Sequence, residues 1–181
     1  MTYDVGCQAA SRSLNSVRFV VLTRTAMTAL LDRDLLRASD EVGVALTPYF
    51  TAEESLGLWR LRVEQVTSDP GSAEWITQAV VAEPEERVVG YAGYHGPPNE
   101  AGMVEVGYAV DPNYRRQGFA RAMLAELLRR AAGEPAVKTV RVSISPDNAA
   151  SLATIAGFGF VEVGEQWDDE DGLESVFEIP A

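Results

Sequence analysis

The sequence predicts an α/β fold with one mixed sheet (α+β) and the element order β-α-α-β-β-β-α-β-α-β-β. Short β-branched runs alternate with longer segments in which apolar residues recur at helical spacing. Turns rich in Gly and Pro separate most of these segments. No internal repeat, low-complexity tract or long linker divides the 181 residues. We therefore expect a polar N-terminal tail over residues 1–17 and a single domain over residues 18–181.

The first part of the domain is predicted to contain one strand and two helices. Residues 18–23 are short, apolar and β-branched, which is typical of a strand. A stripe of Met and Leu side chains predicts a helix over residues 25–36. A second helix is predicted over residues 52–66, and it opens with Thr51 and Glu54 in the capping-box spacing that satisfies free amides at a helix start.

The middle of the chain is predicted to form three consecutive strands. Residues 75–82 and 88–94 are strand-like, and the charged turn between them predicts a hairpin. A Gly/Pro-rich turn then leads to a strand over residues 103–110. If that loop spans residues 96–102, strand parity places His95 and Glu105 on one face of the sheet, whereas other hairpin registers reverse this facing.

The last third of the chain is predicted to alternate helices and strands. Residues 120–131 carry the clearest helical stripe, and a glycine and a proline follow it. Residues 139–144 alternate between polar and apolar, which predicts a half-buried strand. A short helix over residues 148–156 and strands over residues 161–165 and 174–179 complete the order.

The composition excludes several classes of function. A net charge of −12 argues against duplex DNA or an anionic membrane as a partner, because both are bound through basic surface. The longest apolar runs fall far short of the ~20 residues that cross a bilayer, and the N-terminus lacks a signal-peptide core, so we expect a cytoplasmic protein. The single cysteine, Cys7, and the single histidine cannot supply a zinc site, so we expect no metal.

One segment departs from the acidic character of the chain. Seven basic and two acidic residues lie between positions 115 and 141, and this segment begins where a strand runs through a turn into a helix. The first amides of a helix have no intrahelical partners and carry the positive end of its dipole, so they attract anions. Gly118 and Ala120 leave room for a ligand, and three arginines add charge, namely Arg115, Arg116 and Arg121. The arrangement suits a pyrophosphate.

Two motifs and the element order resemble the GNAT superfamily of acetyl-CoA-dependent N-acetyltransferases. Residues 115–120, Arg-Arg-Gln-Gly-Phe-Ala, fit the family signature Arg/Gln-x-x-Gly-x-Gly/Ala at a helix start after a strand. Residues 148–155, Asn-x-x-Ser-Leu-x-x-Ile, followed by Gly-Phe, are similar to the family's second element. Residues 105–108, Glu-Val-Gly-Tyr, further resemble the branch that contains the ribosomal-protein N-terminal acetylases.

The resemblance implies transfer of an acetyl group from acetyl-CoA to a primary amine by direct attack on the thioester. The pantetheine arm would lie between the strands at residues 103–110 and 140–144, and a main-chain N–H near Ala109 or Val110 would stabilise the oxyanion. The partners would be acetyl-CoA and a small-molecule or peptide amine, and a homodimer is compatible with the sequence. The implied CoA-binding residues are Ala109, Val110, Arg115, Arg116, Gln117, Gly118, Phe119, Ala120, Asn148 and Ser151.

Two residues are the candidate catalytic groups. Glu105 matches a position that often holds the base in related enzymes, although it also fits a solvent-facing residue of an alternating strand. Ile155 occupies the position of the family's usual tyrosine acid, so Ser151 is the candidate that contacts the thiol. The alternative for Ser151 is a hydrogen bond to helix backbone, Asn148 also fits a helix N-cap, and His95 is a second candidate base.

The sequence does not identify the acceptor. Tyr49, Phe50 and Trp59 belong to the region that usually forms the acceptor wall, but core packing explains Trp59 equally well. The acidic run at residues 168–171 fits either attraction of a cationic amine or a solvated loop, and we favour the loop. A non-catalytic CoA-binding or protein-interaction module with the same fold is the competing interpretation, since the usual tyrosine is missing.

Overall fold

A computed structural model describes residues 15–168 and 172–181 of the chain. Cys7, most of the predicted tail and residues 169–171 of the acidic run therefore lie outside the described residues. The described helices and strands are β1 (Ser16–Val20), α1 (Arg24–Leu31), α2 (Leu35–Val42), α3 (Glu53–Ser68), β2 (Gln78–Glu83), β3 (Arg87–Tyr94), β4 (Met103–Val110), α4 (Phe119–Ala132), β5 (Thr139–Ile144), α5 (Ala149–Ile155), β6 (Val161–Asp168) and β7 (Gly172–Pro180).

The strands form one seven-stranded mixed sheet with the order β1-β2-β3-β4-β5-β7-β6. One face packs against α4 through the fully buried side chains of Met123, Leu124 and Leu127. The opposite face packs against the N-terminal helices through Leu30 and Trp59, which are also fully buried. Burial of each such side chain contributes roughly 1.5–3 kcal/mol. Among the described residues, no helix is long and apolar enough to span a membrane.

The helical region between β1 and β2 contains one helix more than predicted. The predicted helix over residues 25–36 is wrong, because α1 ends at Leu31 and α2 begins at Leu35. Arg33 adopts a left-handed backbone with φ of 59°, and the Asp34 carboxylate accepts a hydrogen bond from Arg37 N at 3.0 Å. A carboxylate that caps a new helix competes with continuation of the old one, and the apolar stripe alone did not show this break.

Two predicted element starts are also wrong. Ala52, not Thr51, precedes α3, and the Thr51 hydroxyl donates to the Pro48 carbonyl at 3.1 Å within a 3-10 turn instead of capping the helix. Trp75 lies at the end of a second 3-10 turn, Pro70–Glu74, and not in β2. In both cases a proline starts a short helical turn that displaces the following element.

The parallel pair β4 and β5 separates part-way along its length. The two strands pair over only three positions, from Met103 opposite Thr139 to Glu105 opposite Arg141. Beyond that point β4 continues beside β3, while β5 continues antiparallel to β7. The gap that opens between them leaves backbone groups of β4 without a strand partner.

Candidate active site

The turn before α4 presents free amides to solvent. Gly118 precedes the helix with φ of 88°, and no side chain of the described residues caps its first turn. The N–H groups of residues 119–121 therefore lack intrahelical partners. A Cβ on Gly118 would have Asn15 Nδ2 as its nearest neighbour, at 3.7 Å, so the approach to these amides is open.

The side chains around this turn divide between core and surface. Arg115, Arg116 and Gln117 are exposed, whereas the Phe119 ring is buried in the core against Tyr114. Phe119 can thus offer only its amide to a ligand. An exposed, uncapped helix start with two arginines beside it fits the pyrophosphate of CoA.

Arg121 contacts the end of α5, although its place in the basic segment suggested that it adds charge to the anion site. Its Nη1 donates to the carbonyls of Thr154 at 3.0 Å and Ala156 at 2.8 Å, and its guanidinium lies over the Phe158 ring at 4.6 Å. Arg121 therefore joins α4 to the end of α5 and fixes the relative position of these two helices.

Glu105 lies where β4 and β5 separate. Its side chain is only 18% exposed. The Ser143 hydroxyl donates to Glu105 Oε1 at 2.6 Å, and His95 Nδ1 lies 4.0 Å from Oε2. His95 N also donates to the Glu105 carbonyl at 2.8 Å, so of the registers that the sequence left open the structure has the one that places both side chains on one face.

A glutamine extends this cluster across the sheet. Gln166 Nε2 donates to Ser143 Oγ and to Glu174 Oε2, both at 3.0 Å. Ser143 and Gln166 were not among the residues singled out from the sequence. Strand alternation could place Ser143 on the polar face of β5, but only the register with β4 shows that it reaches Glu105.

The position of His95 depends on a hydrogen bond to its backbone carbonyl and on the space that Gly107 leaves for its imidazole. Arg62 is buried and donates to the His95 carbonyl at 2.9 Å. A Cβ on Gly107 would lie 3.2 Å from His95 Nε2, so the imidazole needs a glycine at this position. Partial desolvation lowers the pKa of the half-exposed His95, and Arg62 lowers it further, while Glu105 and Asp168 oppose the shift.

A cavity of about 410 Å³ joins the gap between the strands to α5. Asn148 caps α5, since its Oδ1 accepts from Ser151 N at 3.0 Å, as the helix-cap alternative predicted. Ser151 and Tyr108 line the same cavity, as does Glu105. The cavity thus brings together both candidate catalytic residues.

The aromatic residues of the helical region are mostly core. Phe50 and Trp59 are fully buried, and Trp59 Nε1 donates to the Phe50 carbonyl at 2.6 Å. Tyr49 is half-buried and stacks on the Tyr91 ring at 5.4 Å. Core packing therefore accounts for Phe50 and Trp59, and of the three only Tyr49 retains an exposed part.

Comparison with known protein families identifies the family of this chain. Residues 40–160 match the model of the acetyltransferase (GNAT) family, a span that includes the turn before α4 and the whole of α5. The chain belongs to the acetyltransferase (GNAT) family. The match confirms the family and the GNAT fold predicted from the two motifs and the element order.

The matches to individual GNAT relatives span only part of the length of each relative. YjdG of Bacillus subtilis (strain 168), described as an uncharacterized N-acetyltransferase, is 30% identical over 91 residues, which are 50% of this chain and 52% of YjdG. The L-2,4-diaminobutyric acid acetyltransferase of Nocardia farcinica (strain IFM 10152) is 30% identical over 129 residues, which are 66% of each chain. The chain therefore spans about half to two thirds of these relatives.

Solved structures extend the likeness in fold to the whole GNAT domain. The structure of RimL, a ribosomal L7/L12 alpha-N-protein acetyltransferase in complex with coenzyme A, has a TM-score of 0.62 and 15% identity. The superposition covers 93% of this chain and 95% of RimL. Nearly every described element of this chain thus has a counterpart in a GNAT enzyme crystallised with CoA.

Proposed function

We propose that this chain transfers the acetyl group of acetyl-CoA to a primary amine by direct attack on the thioester. The observation that carries the proposal is the uncapped start of α4 beside the gap between β4 and β5, with Glu105 at the point where the strands separate. The pyrophosphate would bind the amides of residues 119–121, and the pantetheine arm would follow the gap. Arg115 and Arg116 would add charge to the phosphate site.

The backbone of β4 supports Val110 as the oxyanion donor. Asp111 N donates to the Val89 carbonyl, and His95 N donates to the Glu105 carbonyl, so the odd-numbered residues of β4 bond to β3. Because hydrogen-bonding direction alternates along an antiparallel strand, the N–H of Ala109 faces β3 and that of Val110 faces the gap. Val110 is thus better placed than Ala109 to bind the developing negative charge.

Glu105 is the proposed base. A protonated amine has no lone pair, so its proton must leave before nitrogen attacks the thioester carbonyl carbon. Ser143 donates to Oε1, which fixes the carboxylate and leaves Oε2 to accept a proton from the amine, directly or through water. Nitrogen then bonds to the carbonyl carbon, the C–S bond breaks and the thiolate leaves past Ser151. Nitrogen gives its second proton to solvent and becomes the neutral amide.

The acceptor is proposed to be a small cationic amine, such as a diamine. Three carboxylates line the cavity, Glu105, Asp168 and Glu174, and the lining contains no Lys or Arg among the described residues. Such a surface attracts positive charge. The acceptor named for the Nocardia farcinica relative, L-2,4-diaminobutyric acid, carries two amines. The carboxylates therefore favour a small diamine over the peptide amine that the ribosomal-protein branch would use.

An acceptor screen tests this proposal. The full chain is mixed with acetyl-CoA and L-2,4-diaminobutyrate, spermidine or a peptide with a free α-amine, and thiol release and product mass are measured. We expect release and a singly acetylated product with the diamines, at higher kcat/KM than with the peptide. Release with the peptide alone would contradict the proposed acceptor class.

The same screen decides between the enzyme and the non-catalytic module. Ile155, at the position of the usual tyrosine acid, is buried and packs in the core, and this observation favours the module. Binding of acetyl-CoA in a calorimeter with no thiol release from any acceptor would support the module. Turnover with a diamine would exclude it.

A further inference from the structure

Tyr108 carries a buried hydroxyl that makes no hydrogen bond to any of the described residues. Its Oη is the one buried side-chain polar atom of the described residues without a hydrogen-bond partner. Folded proteins rarely leave such a group unpaired, because removing it from water is costly. An unpaired buried hydroxyl that lines a cavity is therefore a candidate ligand contact.

Other buried tyrosines close to Tyr108 in the fold are satisfied. The Tyr94 hydroxyl, from neighbouring β3, donates to the Leu127 carbonyl at 2.7 Å. Tyr91 Oη lies 3.2 Å from Ser55 Oγ. The core thus provides partners for these hydroxyls, and the lack of one for Tyr108 is specific to its position beside the gap.

The hydroxyl of Tyr108 faces α5. The Ser151 and Thr154 hydroxyls approach it closely enough to lower its pKa, although neither reaches hydrogen-bond geometry. Burial is the larger effect and leaves the pKa of Tyr108 raised, so the phenol stays protonated at neutral pH. Thr154 Oγ1 is itself committed to the Ala150 carbonyl at 2.9 Å.

Neither of the two α5 residues considered for the acid is a suitable proton donor. Ser151 lines the cavity, but a serine hydroxyl is a poor proton donor, and Ile155 has no proton to give. Tyr108 lies two residues before Val110, whose N–H faces the gap. Tyr108 therefore belongs to the part of β4 that lies beyond its pairing with β5 and borders the gap.

We propose that Tyr108 is the acid that protonates the sulfur of CoA as acetyl transfer occurs, an inference that rests on the proposed function. As nitrogen bonds to the carbonyl carbon, the C–S bond breaks and sulfur takes its electron pair. The Tyr108 Oη–H bond breaks, and its proton passes to sulfur, which gives the CoA thiol and a phenolate. Glu105 has taken the first proton of the amine before attack, and nitrogen loses its second proton to solvent as the neutral amide forms. The Tyr108 phenolate regains a proton from solvent through the half-exposed end of the cavity at Ser151.

Kinetics of Tyr108→Phe test the chemical role. We expect kcat to fall about 10–100-fold, at the lower end of general-acid effects because a thiolate is a tolerable leaving group, with KM for acetyl-CoA unchanged. We also expect the decline of wild-type kcat at high pH, where the phenol ionises, to disappear in the variant. Tyr94→Phe is the matched control, and its kcat and pH profile should follow wild type. A kcat of Tyr108→Phe within about twofold of wild type would overturn the proposal.

A binding experiment tests the contact with sulfur without turnover. Wild type should bind CoA several-fold more tightly than desulfo-CoA, and Tyr108→Phe should bind the two equally, as measured by calorimetry. Tyr94→Phe should keep the preference of wild type. If Tyr108→Phe keeps it too, Tyr108 does not contact sulfur and the inference fails. A wild type that prefers CoA but acetylates no amine would instead overturn the proposed function.

Discussion

At the residue scale, Glu105 shows how neighbours turn a common strand residue into a candidate base. An exposed glutamate on an alternating strand is ordinary, but this side chain is only 18% exposed. It also receives a 2.6 Å hydrogen bond from Ser143, which Gln166 holds in turn. Such a chain of hydrogen bonds fixes the rotamer of a carboxylate before substrate arrives, which lowers the entropy lost in reaching the transition state.

Replacing Glu105 with Gln removes the base and keeps the shape of the side chain. We expect kcat to fall about 10²–10⁴-fold, most strongly at pH values where the acceptor amine is largely protonated. Affinity for acetyl-CoA should stay as in wild type, measured by calorimetry. Glu178→Gln, which breaks an ion pair with Arg141 on the same sheet, is the control and should leave the pH profile unchanged. An unaltered rate profile for Glu105→Gln would assign the base to another group.

At the element scale, the start of α4 is the feature on which the proposed binding of CoA depends. Its first turn has no side-chain cap, and Gly118 is left-handed, so an anion can meet bare amides. The separation of β4 from β5 then provides a path from those amides to Glu105. A helix start and a strand separation are each common, but their adjacency here fits the long, anionic ligand that we propose.

The substitution Gly118→Asp tests this element. A side chain at φ of 88° is strained, and the added carboxylate would occupy the anion site. We expect KM for acetyl-CoA to rise at least about tenfold while the far-UV circular dichroism spectrum is retained. Gly43→Asp is matched for strain and charge, because Gly43 has φ of 72° and open space around it, at the end of α2. An unchanged KM in Gly118→Asp would contradict the assignment of the phosphate site.

At the scale of the whole molecule, the site exists because five strands converge on it. His95 comes from the end of β3, Glu105 from β4, Ser143 from β5 and Gln166 from β6, and Glu174 of β7 binds the glutamine. No two of these residues are adjacent in the sequence. The cavity that contains these carboxylates is also lined by His95, the only histidine of the chain. The charge of the site therefore affects the stability of the folded protein.

The pKa of His95 predicts how stability depends on pH. A histidine whose pKa is lowered by folding binds fewer protons in the folded than in the unfolded state, so stability is full above the unfolded value of about 6.5 and declines as pH falls below it. Desolvation of the imidazole is the main cause, Arg62 adds to it, and Glu105 and Asp168 oppose it.

Urea unfolding at about pH 7.5 and about pH 5.5 checks this prediction, since carboxylates with ordinary pKa values near 4 change charge little over that interval. Wild type should lose stability between the two values, and His95→Gln should lose less. Arg87→Gln, distant from the site and over the Tyr114 ring, should behave like wild type. Equal losses in wild type and His95→Gln would show that His95 does not control this dependence.

Local patterns in the sequence determined the elements that later proved central. The strand at Met103–Val110 and the strand at Thr139–Ile144 have the predicted bounds, because alternation and helical periodicity follow from backbone geometry alone. The turn that we propose to bind phosphate is likewise a local feature, since Gly118 and the start of α4 are adjacent in sequence. Hairpin parity offered a register that places His95 beside Glu105, and the structure has that register.

Only the tertiary structure decided which distant side chains meet. The break between α1 and α2, the Ser143–Gln166 support of Glu105 and the unpaired hydroxyl of Tyr108 all depend on registers and packing between segments far apart in the chain. A sequence specifies the face on which a side chain lies, but not the rotation and spacing of the neighbouring element. The chemistry of this site depends on those distances, because N–H···O hydrogen bonds in proteins need donor–acceptor distances of about 2.7–3.2 Å and a nearly linear arrangement.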